Sequence, residues 1–307
     1  MIDILMATYN GEKYLRPQLD SILHQSNQEW RLIIRDDCST DNTVQIIKEY
    51  QLLRPNQIQL IQADKPSGSA QNNFFALMDY AKAPYVAFAD QDDIWFSDKL
   101  ELTYKKIKEL ESKHGRDVPL MVHTDLAVVD KNLKQINASL FAMQDMDAER
   151  NKLHQLIVQN CATGCTMMIN RELLELIHKK PQHAVMHDMW IALVASAFGQ
   201  IGFVNKATML YQQHGNNTNG AKNVKTFKYF LWKLRSANEI HQNLVAQYRQ
   251  AGEFLKIYET KLTNEQCQML KAYAEFEHKT EFQKLFCLKK YHLWKKGFVR
   301  VMGQLLR

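Results

Sequence analysis

Over the first ninety residues, short apolar runs alternate with segments of helical periodicity, and this alternation restricts the fold more than any other feature of the chain. Residues 2–6, 30–34, 58–61 and 85–89 are the apolar runs. Between them, residues 12–24 place Tyr14, Leu15, Leu19, Ile22 and Leu23 on one helical face. Residues 41–50 follow Asp41, a candidate N-cap, with Val44, Ile46 and Ile47, and Gly68 and Ser69 open a third segment through Phe74, Phe75, Leu77 and Met78. Short connections and repeated crossovers predict βαβαβαβ, with a parallel sheet covered by helices on both faces and right-handed crossovers. Open sheets of this kind bind ligands outside the carboxyl ends of their strands, so the residues just after each run carry the chemistry.

The fourth run ends in Asp90-Gln91-Asp92-Asp93, three carboxylates within four residues. Acids crowded this closely repel one another unless a divalent cation sits among their oxygens, and Mg²⁺ or Mn²⁺ takes carboxylate and phosphate ligands. The alternative is a solvated turn with Asp93 or Ser97 capping the next helix. The first run ends in Ala7-Thr8-Tyr9-Asn10-Gly11 and the second in Arg35-Asp36-Asp37-Cys38-Ser39-Thr40-Asp41, on the same edge as Asp90. A tyrosine ring with amide and hydroxyl neighbours can stack on a nucleobase, and an aspartate can accept the imide N–H of uracil or thymine. No Gly-x-Gly-x-x-Gly follows the first run and no Gly-x-x-x-x-Gly-Lys-Ser/Thr occurs, which argues against a dinucleotide oxidoreductase or P-loop enzyme and leaves a metal to hold the phosphates.

Five cysteines without paired short spacing, and no charged-then-apolar leader, lead us to expect a reducing, cytosolic setting in which the thiols pack rather than bridge. Cys161 and Cys165 form the one pair close enough to suggest a metal, without a second pair to complete a zinc set. No apolar run approaches the roughly 20 residues that span a bilayer. Charge is uneven: residues 221–307 hold 17 Lys/Arg against 7 Asp/Glu, while the whole chain is only +6, so the first 220 residues are net acidic. An acidic body argues against wrapping nucleic acid.

Farther along, Asp188 lies in Met186-His187-Asp188-Met189-Trp190 ahead of an apolar run, as a helix N-cap or as a base. His214 precedes the polar residues Gly215-Asn216-Asn217 and reads as a structural residue or a metal ligand. Trp95 and Trp190 can stack on a sugar or roof the sheet.

Together, these motifs in this order, closed by Tyr211-Gln212-Gln213-His214, resemble family 2 glycosyltransferases of the GT-A fold, most closely bacterial rhamnosyltransferases of cell-wall polysaccharide assembly. The resemblance spans residues 1–220, with a nucleotide-sugar half at about 1–95 and an acceptor half at about 96–220, followed by a basic helical region at 221–307. It implies that Thr8, Tyr9 and Asn10 meet the donor, that Asp36 or Asp37 contacts the pyrimidine and that Asp90 lies on the ribose side. It also implies that Asp92 binds Mn²⁺ or Mg²⁺, that His214 completes the metal shell and that Asp188 is the base. Asn160, Thr163, Gly164 and Trp190 are expected on the acceptor side. Two residues depart from the family pattern: Cys38 stands where glycine is usual, and Gln212 where relatives often have arginine.

The implied reaction is inverting transfer of L-rhamnose from dTDP-L-rhamnose to a lipid-linked polysaccharide precursor. A UDP-hexose donor is the alternative, ahead of a nucleotidyltransferase or a non-catalytic glycan-binding protein. A lipid-linked acceptor would place the enzyme on the inner face of the plasma membrane. The tail suits that location: on one continuous helical wheel, Cys287, Tyr291, Trp294, Phe298, Val301, Met302 and Leu305 oppose Lys289, Lys296, Arg300 and Arg307, the pattern of a helix lying on an anionic surface. The same chemistry recurs at residues 227–235. Packing of the tail on the protein is the competing expectation.

Overall fold

In the computed structural model, residues 1–177, 181–214, 224 and 236–305 are described. The expected alternation is present: β1 (Ile2–Thr8), α1 (Leu15–Leu23), β2 (Trp30–Asp36), α2 (Thr43–Leu53), β3 (Ile58–Gln62), α3 (Ala70–Met78) and β4 (Tyr85–Asp90). After them come β5 (Ile94–Trp95), α4 (Lys99–His114), β6 (Leu120–Asp130), β7 (Gln135–Asn137), two single turns α5 (Leu140–Met143) and α6 (Leu153–Leu156), β8 (Met168–Asn170) and α7 (Arg171–Leu176). The chain continues through α8 (His187–Phe198), β9 (Gln200–Gln213), α9 (Ala237–Tyr258), α10 (Asn264–Ala274), α11 (Glu281–Lys290) and α12 (Phe298–Leu305).

Among the described residues nine strands form one sheet, ordered β3-β2-β1-β4-β8-β6-β9-β5 with β7 on β6. The first four pair in parallel, and antiparallel partners enter from β8 onward. Strands β1, β2 and β4 are nearly continuous apolar runs, as burial on both faces demands. Register aligns Thr8 with Asp36 and Ala7 with Asp90, so three strands deliver their polar loops to one edge. Ser69 caps α3 by accepting the Asn72 N–H, as expected. The capping alternative for the acids fails. The N-cap position of α4 is Asp98, Ser97 lies one residue outside it, and Asp93 is only 1% exposed.

Two compact units divide the chain. A sheet unit holds residues 1–140, 162–178 and 198–221, and a helical unit holds 141–161, 179–197 and 222–307. Two stretches of the first 220 residues thus group with the tail, a division that sequence order alone does not suggest. The helical unit has an aromatic core: Trp190 packs on Phe254 and Tyr258 with ring centroids 5.3 and 6.1 Å away, and Tyr248, Tyr273 and Phe276 form a second cluster.

The tail corrects the single helical wheel. The helix stops at Lys290, residues 291–297 run irregularly through His292 (φ 53°) and Gly297 (φ 91°), and α12 starts a new helix. Gly297 occupies the left-handed region that favours glycine, and a Cβ there would meet Asp145 Oδ2 at 3.2 Å. Of the expected lipid face Cys287 is buried, Tyr291, Trp294 and Val301 are half-buried, and Met302 and Leu305 are exposed, so the face is neither continuous nor wholly outward. Two cations of the expected basic face are engaged as well. Arg300 donates to the Gln144 carbonyl (2.7 Å), and Lys296 lies 3.7 and 3.8 Å from Asp145 and Asp147. Residues 215–217, 227–235 and 307 lie outside the described residues.

Candidate active site

The loops after β1 and β2 lock to each other through buried polar groups. Asp36 accepts the Thr8 hydroxyl (3.0 Å), the Ser39 N–H (2.8 Å) and the Ser39 hydroxyl (2.6 Å). Asn10, at φ 47°, donates its N–H to Ser39 Oγ and accepts the Thr40 N–H, both at 2.8 Å. Thr8 and Asp36 are buried within this lock. Asp41 works as a cap in an unexpected way: it accepts the N–H groups of Thr43 (3.0 Å) and Glu12 (3.1 Å), although Asn42 occupies the N-cap position. Cys38 sits at φ 66°, which explains why glycine is usual there.

Asp37 is also held, accepting Arg35 (3.1 Å) and both the N–H and the hydroxyl of Ser67 (2.8 Å each). It is the less deeply buried of the two aspartates. Tyr9 is 56% exposed at the end of β1, its ring open on the working edge. Gln91 grips its backbone from both sides, accepting the Tyr9 N–H and donating to the Tyr9 carbonyl at 3.0 Å each.

At the end of β4 the acids converge. Ligating atoms of Asp90, Asp93 and Cys165 all lie within 4.8 Å of one another. Asp92 Oδ2 lies 2.7 Å from His214 Nε2, and the His214 ring stacks on Tyr14 at 4.2 Å with planes 8° apart. Neither carboxylate oxygen of Asp93 has a hydrogen-bond partner of good geometry. Burial, and then Asp90 and Asp92, push its carboxyl well above the usual carboxylate range, which the Cys165 thiol and Lys99 offset only in part. The Cys165 thiol is pushed up by burial and by Asp93 and Asp90. Tyr211 is raised by burial and by the same acids. Beneath them Lys99 is buried, its ammonium 4.8 Å from the Trp95 ring, and burial lowers it to about 8 against the pull of Cys165, Asp93 and Asp90. Carboxylate oxygens gathered this closely, with an imidazole paired to one of them, are a ligand set that suits a hard or borderline divalent cation.

The remaining expected residues fall in both units. Thr163 and Gly164 are in the sheet unit, where the Thr163 carbonyl accepts the Thr166 N–H (2.9 Å) and hydroxyl (2.7 Å). Asn160, Asp188 and Trp190 are in the helical unit. Asp188 lies inside the first turn of α8 rather than capping it, and its Oδ1 accepts the Met189 N–H at 2.6 Å. Trp190 is 0% exposed, so its place in the aromatic core corrects the expectation of an acceptor-side platform. Trp95 is buried too, and Gln212 is buried with its amide donating to the Lys131 carbonyl (3.1 Å).

Sequence reasoning gave no role at this edge to Gln91, Lys99 or Tyr14, and it paired Cys165 with Cys161 where the structure sets it beside Asp90 and Asp93. Tyr14 read as one more apolar position of the first helical segment, and nothing in the local pattern singled out Lys99. The three acids so close together were the one available warning that a cation of the protein might lie beneath them.

The sequence pattern described as "Glycosyl transferase family 2" matches residues 3–177. The "dTDP-rhamnosyl transferase RfbG" of Shigella flexneri is 31% identical over 235 residues, covering 73% of this chain and 76% of that protein. The "UDP-Glc:alpha-D-GlcNAc-diphosphoundecaprenol beta-1,3-glucosyltransferase WfgD" of Escherichia coli is 26% identical over 195 residues, 63% of this chain and 70% of that one. Among solved structures, S. aureus TarS 1–349 shares the fold with a TM-score of 0.60 at 18% identity, over 90% of this chain and 71% of that chain. The mannosyltransferase PcManGT of Pyrobaculum calidifontis, solved with GDP-Man and Mn²⁺, does so with a TM-score of 0.54 at 16% identity, over 99% and 78%.

Proposed function

Because the chain belongs to glycosyltransferase family 2, we propose that it transfers L-rhamnose from dTDP-L-rhamnose, with inversion, to a sugar hydroxyl of a lipid-linked cell-wall or capsular polysaccharide precursor. The observation that carries the nucleotide-sugar reading is the convergence of Asp90, Asp93 and Cys165 at the end of β4, with the Asp92–His214 pair and the exposed Tyr9 on the same edge. The choice of sugar rests on the likeness to RfbG.

In this reading Asp92 and His214, with Asp90 beside them, hold Mn²⁺ or Mg²⁺. The ion, when bound, supplies positive charge to the departing diphosphate. Tyr9 stacks on the pyrimidine and Asp37 accepts its imide N–H. The carboxylate of Asp188 takes the proton of the acceptor hydroxyl as that oxygen bonds to the anomeric carbon and the bond from this carbon to the phosphate oxygen breaks. Asn160, Thr163 and Gly164 line the acceptor side. An acceptor anchored in lipid makes the anionic inner face of the plasma membrane the working location, consistent with the basic excess of residues 221–307. No helix among the described residues is long and apolar enough to cross a membrane.

A UDP-hexose donor is the second reading, favoured by the likeness to WfgD and by the identical imide edges of uracil and thymine. Nucleotide release by the purified full chain with Mn²⁺, offered dTDP-rhamnose, UDP-glucose and UDP-GlcNAc in parallel, separates the two. Turnover restricted to a UDP-sugar would overturn the rhamnosyl assignment, and turnover with none of the three would remove both. Asp188→Asn is expected to lower turnover by about 10² or more while leaving donor affinity in place. Near-normal turnover would free Asp188 from the role of base.

A further inference from the structure

The basic tail is two helices and not the single one that one helical wheel assumes, and the first of them leaves a different face open. On α11, Phe282 is 87% exposed and Phe286 66%, the two most exposed phenylalanines among the described residues. At 100° per residue, Phe282, Phe286, Lys289 and Lys290 fall within an arc of about 100°. Cys287 and Leu288, which are buried, lie on the other side of the helix. Thus α11 docks one edge into the helical unit and holds two aromatic rings and two cations outward. Lys289 and Lys290 are exposed and have no ion pair among the described residues, whereas Lys284 pairs with Glu281 at 2.9 Å and Lys296 lies near Asp145 and Asp147. From residue 282 to the end of the chain the sequence has seven Lys/Arg and no acid.

We infer that this face of α11 is a docking surface for an anionic lipid bilayer, with Phe282 and Phe286 entering the headgroup–acyl boundary and Lys289 and Lys290 meeting lipid phosphates. The inference rests on the proposed lipid-linked acceptor for its purpose, and on exposure and charge for its location. Two large apolar rings left in water at i and i+4 mark an interaction surface. Unneutralised lysines one turn further along, with no acidic residue following, select a negatively charged partner. An interfacial helix combines these two elements, and the rest of α11 supplies the rigid support.

The test is sedimentation of the full chain with vesicles of phosphatidylcholine, with and without phosphatidylglycerol, alongside a melting curve and the soluble-acceptor transfer assay. The wild-type chain should partition to the anionic vesicles and be released by salt. Phe282→Ser with Phe286→Ser should weaken partitioning about tenfold or more, and Lys289→Glu with Lys290→Glu should abolish the preference for phosphatidylglycerol. Melting temperature and transfer to a short soluble acceptor should not change, because these side chains are solvent-exposed and outside the proposed catalytic set. The inference is overturned if the wild-type chain ignores anionic vesicles, or if the serine pair partitions as the wild type does. It is also overturned if the serine pair converts a lipid-free dimer to monomer without altering partitioning, which would make a second copy the occupant. Absence of turnover with every donor, together with the expected partitioning, would remove the glycosyl-transfer reading and leave the docking surface standing.

Discussion

Among the described residues, every buried aspartate, glutamate and lysine belongs to the sheet unit: Asp3, Asp36, Asp37, Asp93, Lys99, Glu111 and Asp125. The buried polar residues of the helical unit are His187 and Gln250, set among aromatic and aliphatic side chains. Burying a charge is costly unless partners replace its water, so the two units solve different problems. Most of the sheet unit's acids are fully accounted for. Asp3 takes a two-pronged Arg31 (3.0 and 2.9 Å) and the N–H groups of Lys82 and Ala83, and Asp125 takes the N–H groups of Leu126 and Leu140. Glu111 accepts the Tyr85 hydroxyl and pairs with Lys108. Asp93 stands apart, with two carboxylate oxygens lacking well-formed hydrogen bonds and two more acids close by. Among the buried acids of this unit Asp93 is thus the one whose burial hydrogen bonds do not offset, which is what the proposed cation at the end of β4 would explain.

The largest effect should come from the acids. Asp92→Ala removes one partner of the Asp92–His214 pair and should lower turnover by about 10³-fold, near 4 kcal/mol of transition-state stabilisation. Mn²⁺ should raise the melting temperature of the wild-type chain and leave that of Asp92→Ala nearly unmoved. Equal stabilisation of both proteins would break the comparison, because the unbonded oxygens of Asp93 would then have no link to a cation held by Asp92.

The same contrast explains what could be read from the chain before its structure was known. In residues 2–90 each strand, each crossover and the edge bearing the polar loops follow from local periodicity, because a parallel strand buried on both faces must be apolar throughout. The acid cluster was visible for the same reason, as polar residues interrupting an apolar run. What stayed hidden depends on partners distant in sequence. Lys99 lies on a helix in sequence, and the partners its buried ammonium finds, Thr208 and Met209, are on β9 more than a hundred residues away. The tail's helical wheel failed at Gly297 and at Lys296 and Arg300, whose partners are Gln144, Asp145 and Asp147. Trp190 misled in the same way: an aromatic beside Asp188 looks like a sugar platform until Phe254 and Tyr258 surround it.

A smaller effect compares the units directly, because among the described residues each has one deeply buried histidine. Burial lowers His123 of the sheet unit to about 4 and His187 of the helical unit to about 3. Both folded values lie below the unfolded value of about 6.5, so the unfolded chain binds more protons between them and stability falls as pH drops below 6.5. By pH 4.5 each histidine should cost the folded state roughly 2–3 kcal/mol relative to neutral pH. Urea unfolding of His123→Phe and His187→Phe from pH 7 to 4.5 measures each share. A pH profile as steep as the wild type's in either variant would show that acid sensitivity of that unit arises elsewhere.

The smallest effect concerns the clamp that joins the two working loops of the sheet unit. Gln91 forms two 3.0 Å bonds to the Tyr9 backbone, and its amide packs so tightly on Gly11 that a Cβ there would lie 2.3 Å from Oε1. Gln91→Ala should let the Tyr9 loop move and raise the donor KM by about tenfold, near 1.4 kcal/mol, with a much smaller change in kcat, since the residue positions the donor and does not touch the reacting atoms. Gly11→Ala should do similar damage by pushing the Gln91 side chain out of place. If both act through one contact their effects will not add, and the double variant should show a KM close to that of Gln91→Ala alone. Additive losses would mean that Gly11 serves the loop independently of Gln91. An unchanged KM in Gln91→Ala would mean that the Asp36–Ser39–Asn10 lock holds Tyr9 in place without help from the acid-bearing strand.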